Sequence, residues 1–144
     1  MNTVTKNEKE TIQFGKKFAK TLKGGEVVLL IGDLGAGKTT FVKGAAKGFG
    51  IKKNITSPTF VLLKVYKVES SKLKVKELIH IDTYRGLGLA DLENIGALEY
   101  FGREDTVCFV EWGLGLEKYL KNAKIRIYKI EIKNLDIDKR QITF

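Results

Sequence analysis

Near the start of the chain, apolar residues recur four positions apart, at Phe14, Phe18 and Leu22. Residues with this spacing lie on one face of a helix, so the pattern predicts an amphipathic helix here. Asn7 stands where an N-cap is expected, and the glycines at 24–25 are expected to end the helix. This helix needs another element to cover its apolar face.

Two short runs, at 26–31 and 107–111, are almost entirely apolar. Continuous β-branched and leucine-rich runs of this length are typical of strands that are buried on both faces in a parallel sheet. Glycines follow the first run at once, and a second helical pattern comes after them at Phe41, Ala45 and Phe49. The sequence thus predicts a strand, a glycine loop and a helix in succession.

Polar and apolar residues alternate in further segments, which predicts half-buried strands. Segments 60–67 and 75–82 flank a polar turn and should form an antiparallel hairpin, whereas 124–132 and 141–144 are expected to pair with each other. A short helix capped by Asp91 should precede the second buried strand. Strands that alternate with helices predict an α/β layer fold with a mostly parallel sheet.

The chain has 144 residues, of which 43% are apolar and 30% are charged. This length and composition predict a single domain over residues 1–144 and exclude a disordered chain. The longest purely apolar run is far shorter than the roughly 20 residues that cross a bilayer. With no signal-like segment and one cysteine, Cys108, the chain is expected to be cytoplasmic, without membrane contact or an intramolecular disulfide.

Charge is distributed unevenly along the chain, whose formal net charge is +9. Residues 43–76 contain nine lysines and one acidic residue, whereas residues 77–117 contain two arginines and nine acidic residues. We therefore expect a basic face beside an acidic patch. A basic face is compatible with nucleic acid or another polyanion, because binding to phosphates releases counterions, but a solvated lysine-rich surface explains the charge as well.

Residues 32–39 (GDLGAGKT) match the phosphate-loop pattern G-x-x-x-x-G-K-[ST] at every fixed position. Glycines let backbone N–H groups turn towards an anion, and the following helix directs its positive N-terminal end to the same place. Lys38 would contact the β and γ phosphates, and the hydroxyl of Thr39 would bind Mg²⁺. The motif predicts a P-loop NTPase-like three-layer fold. The predicted ATP-binding residues of this loop are Gly32, Leu34, Gly35, Ala36, Gly37, Lys38, Thr39 and Thr40.

A phosphate loop also needs a carboxylate from another buried strand, because ligands of open α/β sheets lie outside the carboxyl ends of the strands. Asp82 and Glu111 each end a run of four strand residues. Spacing alone does not decide which of them would hold the metal. The Asn-Lys-x-Asp motif that reads guanine is not found in the sequence, so the expected base is adenine.

Other polar and aromatic residues stand near these strand ends. Residues 55–59 carry three hydroxyls and the only proline. Nucleotide switches commonly use such a segment, in which a hydroxyl or a backbone carbonyl meets the metal only when the γ phosphate is present, although an ordinary proline turn fits the spacing equally. Trp112 follows the second buried strand, so its indole would lie near the nucleotide or a partner, whereas a tryptophan in the core or at its rim is the more usual arrangement. His80 shares a strand face with Asp82 and is interpreted as a structural histidine.

Five motifs occur in order along the chain: GDLGAGKTTF, TSPTF, HIDTYRG, DLENIG followed by EYF, and VEWG. Together they resemble the bacterial TsaE (YjeE) family, the small ATPase of tRNA threonylcarbamoyladenosine biosynthesis. The resemblance covers residues 32–113 and extends to the first helix. It implies an ATPase that hydrolyses ATP to reset a complex of TsaD-like and TsaB-like subunits. In that complex the partners transfer the threonylcarbamoyl group to the adenosine beside the tRNA anticodon.

The resemblance also implies roles for individual residues. Thr39 and Glu111 would hold Mg²⁺. Asp82, with Lys38 as a second catalytic group, would serve hydrolysis by positioning water or by acting through the metal. This chain would act on tRNA through the complex. Further residues implied to lie near the nucleotide are Asn7 and Thr11 beside the adenosine, Trp112, and Thr59 in the switch-like segment.

Two other functions fit parts of the pattern. A small-molecule or nucleoside kinase would use the hydroxyls and basic residues of 43–76 for an acceptor, and would make a phosphorylated product rather than free phosphate. An RNA-binding module without turnover would use the lysine-rich face. The two strand-end carboxylates argue against that module, and no aromatic stacking platform is evident among the basic residues.

Overall fold

The computed structural model describes residues 1–57, 62–83 and 88–144, with residues 113–114 described without their side chains. Within these ranges, seven strands form one sheet. They are β1 (Asn2–Thr5), β2 (Val27–Ile31), β3 (Leu63–Lys67), β4 (Glu77–Asp82), β5 (Thr106–Glu111), β6 (Ile127–Asn134) and β7 (Arg140–Thr143). The spatial order of the strands is β1-β7-β6-β2-β5-β4-β3.

The centre of the sheet is parallel and its two sides are antiparallel. Strand β2 pairs in parallel with β5 and β6, and β5 pairs in parallel with β4. Antiparallel pairs join β3 to β4, β6 to β7, and β7 to β1. The prediction of a mostly parallel central sheet with an antiparallel hairpin is therefore confirmed, and the hairpin is β3–β4.

Helices cover both faces of the sheet. In the described ranges they are α1 (Glu8–Ala19), α2 (Lys38–Gly48), α3 (Leu89–Asn94) and α4 (Glu117–Asn122), with 3₁₀ turns at Ala97–Glu99 and Gly113–Leu116. Alternate residues of β2 serve two cores: Val28 and Leu30 pack with α1 and α2, while Val27 and Leu29 pack with α3 and α4. This explains why the run is continuously apolar, since both faces of β2 are buried, and it gives the three predicted layers.

Helix α1 begins as predicted but ends earlier. The side chain of Asn7 accepts a hydrogen bond of 2.9 Å from the N–H of Glu10, so Asn7 is the N-cap. The helix stops at Ala19 rather than at the glycines at 24–25. Leu22 lies in the turn that follows and is still buried. The apolar spacing therefore predicted correctly that Leu22 is buried, although the helix ends before this residue.

The other corrections concern element boundaries and two missed elements. Asp91 does not precede its helix: α3 begins at Leu89, and the Asp91 carboxylate accepts from the Gly88 N–H at 2.8 Å from inside the first turn. The helix also ends before Gly96, whose φ of 78° breaks it. Strands β4 and β6 begin two and three residues later than predicted. Residues 60–61 of the predicted hairpin lie outside the described residues. The sequence pattern does not predict β1 or α4.

In the part of the chain that the structure describes, no helix is both long enough and apolar enough to span a membrane.

Candidate functional site

The phosphate loop joins β2 to α2 at the carboxyl edge of the sheet. Gly37 is the N-cap of α2 and has a φ of 105°, a backbone conformation that residues with a Cβ rarely adopt. The loop and the first turn of α2 border a cavity of about 380 Å³. The cavity is lined by Leu34, Gly35, Gly37, Lys38, Thr39, Thr40, Ser57, Asp82, Glu111, Trp112 and Arg140. Most of the sequence-predicted site residues thus share one cavity.

Lys38 is held inside the loop by backbone carbonyls. Its Nζ donates hydrogen bonds of 2.6 Å to the carbonyl of Gly32 and 2.9 Å to that of Asp33. The same atom lies 4.2 Å from the ring centroid of Trp112, within the range of a cation–π interaction. Burial lowers the pKa of Lys38 from its usual range, and the nearby carboxylates, Glu111 first among them, partly offset this. The ammonium group is thus fixed where a polyphosphate would meet the loop.

Glu111 connects the first turn of α2 to the neighbouring strand. The Thr39 hydroxyl donates to Glu111 Oε2 at 3.0 Å, and His80 Nε2 lies 2.5 Å from the same oxygen. The His80 ring and the Glu111 carboxyl group therefore share a hydrogen bond. His80 and Glu111 are both buried. His80, interpreted from sequence as structural, therefore contacts a predicted metal ligand and holds it in one orientation.

Asp82 lies beside Glu111 across the sheet. The two residues end adjacent parallel strands and are register partners. Asp82 accepts a hydrogen bond of 3.3 Å from the Ser57 hydroxyl, whereas Glu111 bonds to Thr39. Each predicted carboxylate therefore reaches the cavity, but with different partners. This difference separates the two acids, which spacing alone had left equivalent.

Trp112 turns the chain away from β5 at the edge of the cavity. Its φ of 63° is unusual for a residue with a side chain, and its N–H donates to the carbonyl of Leu30 at 2.9 Å. The Thr83 hydroxyl donates to the carbonyls of Glu111 and Trp112 at 3.0 Å and 2.9 Å. These backbone bonds place the indole against Lys38. The indole thus lies at the edge of the cavity that the phosphate loop borders.

Two loop residues differ in exposure. Leu34 is 74% exposed at the rim of the cavity. Ala36 is buried and packs into the core under the loop. Ala36 could therefore contact a phosphate through its backbone only, and its N–H already donates to the carbonyl of Asp33 at 3.0 Å.

The start of α1 approaches the phosphate loop at a second, smaller cavity of about 170 Å³. Thr11 lines it together with Gly37 and Thr40. The Thr11 side chain is buried and shares a hydrogen bond of 2.7 Å with the Thr5 hydroxyl. The Asn7 side chain is engaged in capping α1 and does not line this cavity. The structure therefore brings Thr11 to the site, and gives Asn7 a role in positioning the helix.

The predicted switch residue, Thr59, lies outside the described residues. From the same segment, Ser57 lines the cavity and bonds to Asp82. The Thr56 hydroxyl accepts a hydrogen bond from Lys64.

Arg140 is a cavity residue that the sequence analysis missed. It begins β7 and lines both cavities. A Cβ placed on Gly37 would lie 3.5 Å from Arg140 Nε, so the guanidinium group is close to the N-terminus of α2. Its Nη1 donates to the carbonyls of three residues in the β6–β7 turn. No local motif marks this arginine, because only the sheet brings β7 near the loop.

Comparisons with known proteins identify the family of this chain. The model of the family described as "Threonylcarbamoyl adenosine biosynthesis protein TsaE" matches residues 5–142. The chain is 41% identical over 140 residues to the tRNA threonylcarbamoyladenosine biosynthesis protein TsaE of Bacillus subtilis, covering 97% of this chain and 82% of the relative. It is 44% identical over 114 residues to TsaE of Treponema pallidum, covering 78% of each. A crystal structure of Bacillus subtilis YdiB is similar with a TM-score of 0.66 and 34% identity, over 99% of this chain and 82% of that one. The chain belongs to the TsaE family.

Proposed function

We propose that this chain is a Mg²⁺-dependent ATPase, with one P-loop domain over residues 1–144, that serves threonylcarbamoyl modification of tRNA. The observation that carries the proposal is the convergence of Lys38, Thr39, Asp82 and Glu111 on one cavity at the end of the parallel strands. A cation, a hydroxyl and two carboxylates at a helix N-terminus are the groups that phosphoryl transfer requires.

The residues at this edge fit Mg²⁺. The Thr39 hydroxyl and the Glu111 carboxylate face each other at 3.0 Å, and both are hard oxygen ligands. Mg²⁺ commonly takes only one or two protein groups when phosphates supply other oxygens, so these two residues suffice to hold it. When bound, the ion would neutralise charge that develops on the phosphates. His80 would keep the Glu111 carboxylate turned towards Thr39.

The remaining residues have separable roles in the proposed reaction. Lys38 and the backbone of residues 34–39 would bind the phosphates. Asp82, which is engaged by Ser57 rather than by Thr39, would orient the attacking water and accept its proton. Trp112 would shield the Lys38 ammonium from solvent on one side, which strengthens its attraction for phosphate.

The adenosine would lie on the side of the loop where Thr11, Thr40 and Arg140 surround the smaller cavity. Asn7 would act there indirectly, by fixing the start of α1. Thr59 would complete the site as the switch residue. These assignments rest on the sequence resemblance and on the proximity of α1 to the loop.

We place the ATPase in a complex with TsaD-like and TsaB-like subunits, where its hydrolysis would reset the transferase between rounds. Support comes from relatives in Bacillus subtilis and Treponema pallidum, which are named tRNA threonylcarbamoyladenosine biosynthesis proteins. The tRNA substrate would then be modified by the complex and not by this chain.

The test is release of inorganic phosphate from ATP and Mg²⁺ by the purified chain, alone and then with both partner subunits and tRNA. We expect slow release alone and faster release in the complex. A phosphorylated acceptor without free phosphate would instead identify a kinase. ATP binding with no release in either condition would identify a binding module and reject the ATPase.

Arg140→Gln should weaken ATP binding by about tenfold, because a cation beside the phosphate loop contributes a charge-assisted hydrogen bond. The measurement is the dissociation constant for ATP by isothermal titration calorimetry. Arg103→Gln is the matched control, since Arg103 pairs with Asp105 away from the cavity. An unchanged ATP affinity in Arg140→Gln would show that Arg140 only stabilises the β6–β7 turn, through hydrogen bonds to the carbonyls of that turn.

A further inference from the structure

The segment that links α2 to β3 brings a serine to the aspartate at the end of β4. Ser57 lines the larger cavity, and its hydroxyl donates a hydrogen bond of 3.3 Å to Oδ2 of Asp82. Neither the phosphate-loop pattern nor the family resemblance gives Ser57 a role. The contact therefore joins a cavity residue without an assigned role to the residue that is proposed to accept the proton of water.

Two contacts hold the chain in place just before Ser57. Ile55 is buried in the core that α1 and α2 form with the sheet. The Thr56 hydroxyl accepts a hydrogen bond from the ammonium group of Lys64 on β3. Because these contacts tie the segment to the core and to β3, the Ser57 hydroxyl approaches Asp82 from a fixed backbone.

Hydrogen bonds on both sides of β4 fix the backbone around Asp82. Its N–H donates to the carbonyl of Leu62 at 3.0 Å, and the N–H of the next residue, Thr83, donates to the carbonyl of Glu111 at 3.1 Å. With the backbone held, the Asp82 carboxylate can still turn about the two torsions of its side chain. The hydrogen bond from Ser57 restricts this remaining rotation, so it sets the direction of both carboxylate oxygens.

Leu62 carries backbone strain next to this contact. Its φ is 63°, in the left-handed region that residues with a Cβ rarely adopt. Such a conformation persists where the surrounding structure enforces it, and strained residues are concentrated at functional sites. Ser57 and Leu62 are the described residues on either side of 58–61, and both bond to Asp82. The serine and the strained leucine thus converge on the same aspartate.

We propose that Ser57 is a positioning residue for ATP hydrolysis, which holds the Asp82 carboxylate in the orientation that accepts a proton from the attacking water. This inference rests on the proposed function, in which Asp82 is that acceptor. A bond forms between the water oxygen and the γ phosphorus while the bond from this phosphorus to the β–γ bridging oxygen breaks. The proton of the water passes to Asp82, and the products are ADP and inorganic phosphate. Ser57 acts through Asp82 and not on the reacting atoms.

The test compares Ser57→Ala with Ser57→Thr in single-turnover hydrolysis of radiolabelled ATP by the full chain, with the Kd for ATP from calorimetry. Alanine removes the donor to Asp82, so the rate constant should fall by about tenfold while Kd stays within about twofold. Threonine keeps the hydroxyl and should restore the rate constant to within about threefold of the unaltered chain. Ser71→Ala is the matched control and should hydrolyse ATP normally, since Ser71 is an exposed serine of the β3–β4 turn that does not line the cavity.

The double variant Ser57→Ala/Asp82→Asn shows whether the serine acts through the aspartate. Once Asp82 no longer accepts the proton, loss of the Ser57 donor should slow hydrolysis by less than about twofold. A serine that contacts the nucleotide directly would instead cause the same loss in both backgrounds. An equal loss in both would therefore overturn the proposal, and so would normal hydrolysis by Ser57→Ala.

The same variants separate this inference from the proposed function. Normal hydrolysis by Asp82→Asn would reject the role of Asp82 itself, whereas slow Asp82→Asn together with normal Ser57→Ala would reject only the role of Ser57. ATP binding that loses its Mg²⁺ dependence in Ser57→Ala, with no change in the rate of hydrolysis, would identify Ser57 as a metal ligand and overturn the proposal. Thermal unfolding of each variant ensures that folded chains are compared.

Discussion

Lys38→Ala should lower the affinity for ATP by at least about a hundredfold and leave no measurable phosphate release. The lysine contributes a charge-assisted hydrogen bond from its third N–H to the phosphates, and one such bond at the upper end of the range of about 1.5–3 kcal/mol accounts for a change of this size. Its Nζ is already held in the loop by the carbonyls of Gly32 and Asp33. Little conformational entropy is therefore lost when the phosphates bind. The measurement is calorimetric titration with ATP and Mg²⁺.

Lys47→Ala is the matched control for this change, because Lys47 is a lysine of the same helix that does not line the cavity beside the phosphate loop. Its ATP affinity should be unchanged. Thermal unfolding of both variants checks the fold, since Lys38 is buried and its removal leaves two loop carbonyls without their donor. A folded Lys38→Ala chain that binds ATP normally would reject the phosphate-loop assignment.

Asp82→Asn should lower the rate of phosphate release by a hundredfold or more while ATP affinity stays within a few fold. Removing a general base typically costs about 10²–10⁴ in rate. An asparagine keeps the shape of the side chain and can still accept the Ser57 hydrogen bond, so the strand end should hold its geometry. Rate and affinity are measured on the same preparation. Glu77→Gln, at the other end of β4, is the control and should hydrolyse ATP normally.

Glu111→Gln should instead change nucleotide binding, which should no longer depend on Mg²⁺. The amide keeps an acceptor for Thr39 and His80 but removes the negative charge that attracts the metal. Titrating ATP with and without Mg²⁺ for each variant separates the two roles. If Asp82→Asn loses the Mg²⁺ dependence and Glu111→Gln keeps it, the roles of the two carboxylates are reversed.

The local elements of the site could be predicted from the sequence. The apolar run of β2 has two buried faces, so every residue of it had to be apolar. Glycines then allow the turn, and Lys38 and Thr39 begin a helix whose apolar face is visible at Phe41 and Ala45. These signals are strong because backbone conformation, burial and ligand chemistry all restrict the same short segment.

The sequence pattern did not predict the two shortest-range elements, β1 and α4, because few local features mark them. Strand β1 has four residues at the edge of the sheet, where its alternation is too short to give a pattern. Helix α4 has six residues, fewer than two turns, with a single buried residue, Leu120. Both are stabilised by contacts with distant parts of the chain: β1 pairs with β7, and Leu120 packs into the core shared with α3.

The sequence by itself determined the strand, glycine loop and helix, the two strand-end carboxylates and the uneven charge, because each depends on neighbouring residues. Only the tertiary structure decided which carboxylate meets Thr39, since that depends on the parallel pairing of β4 with β5 and of β5 with β2. It also brought Arg140 to the loop. Contacts of this kind join residues tens of positions apart, and sheet pairing and helix packing fix them.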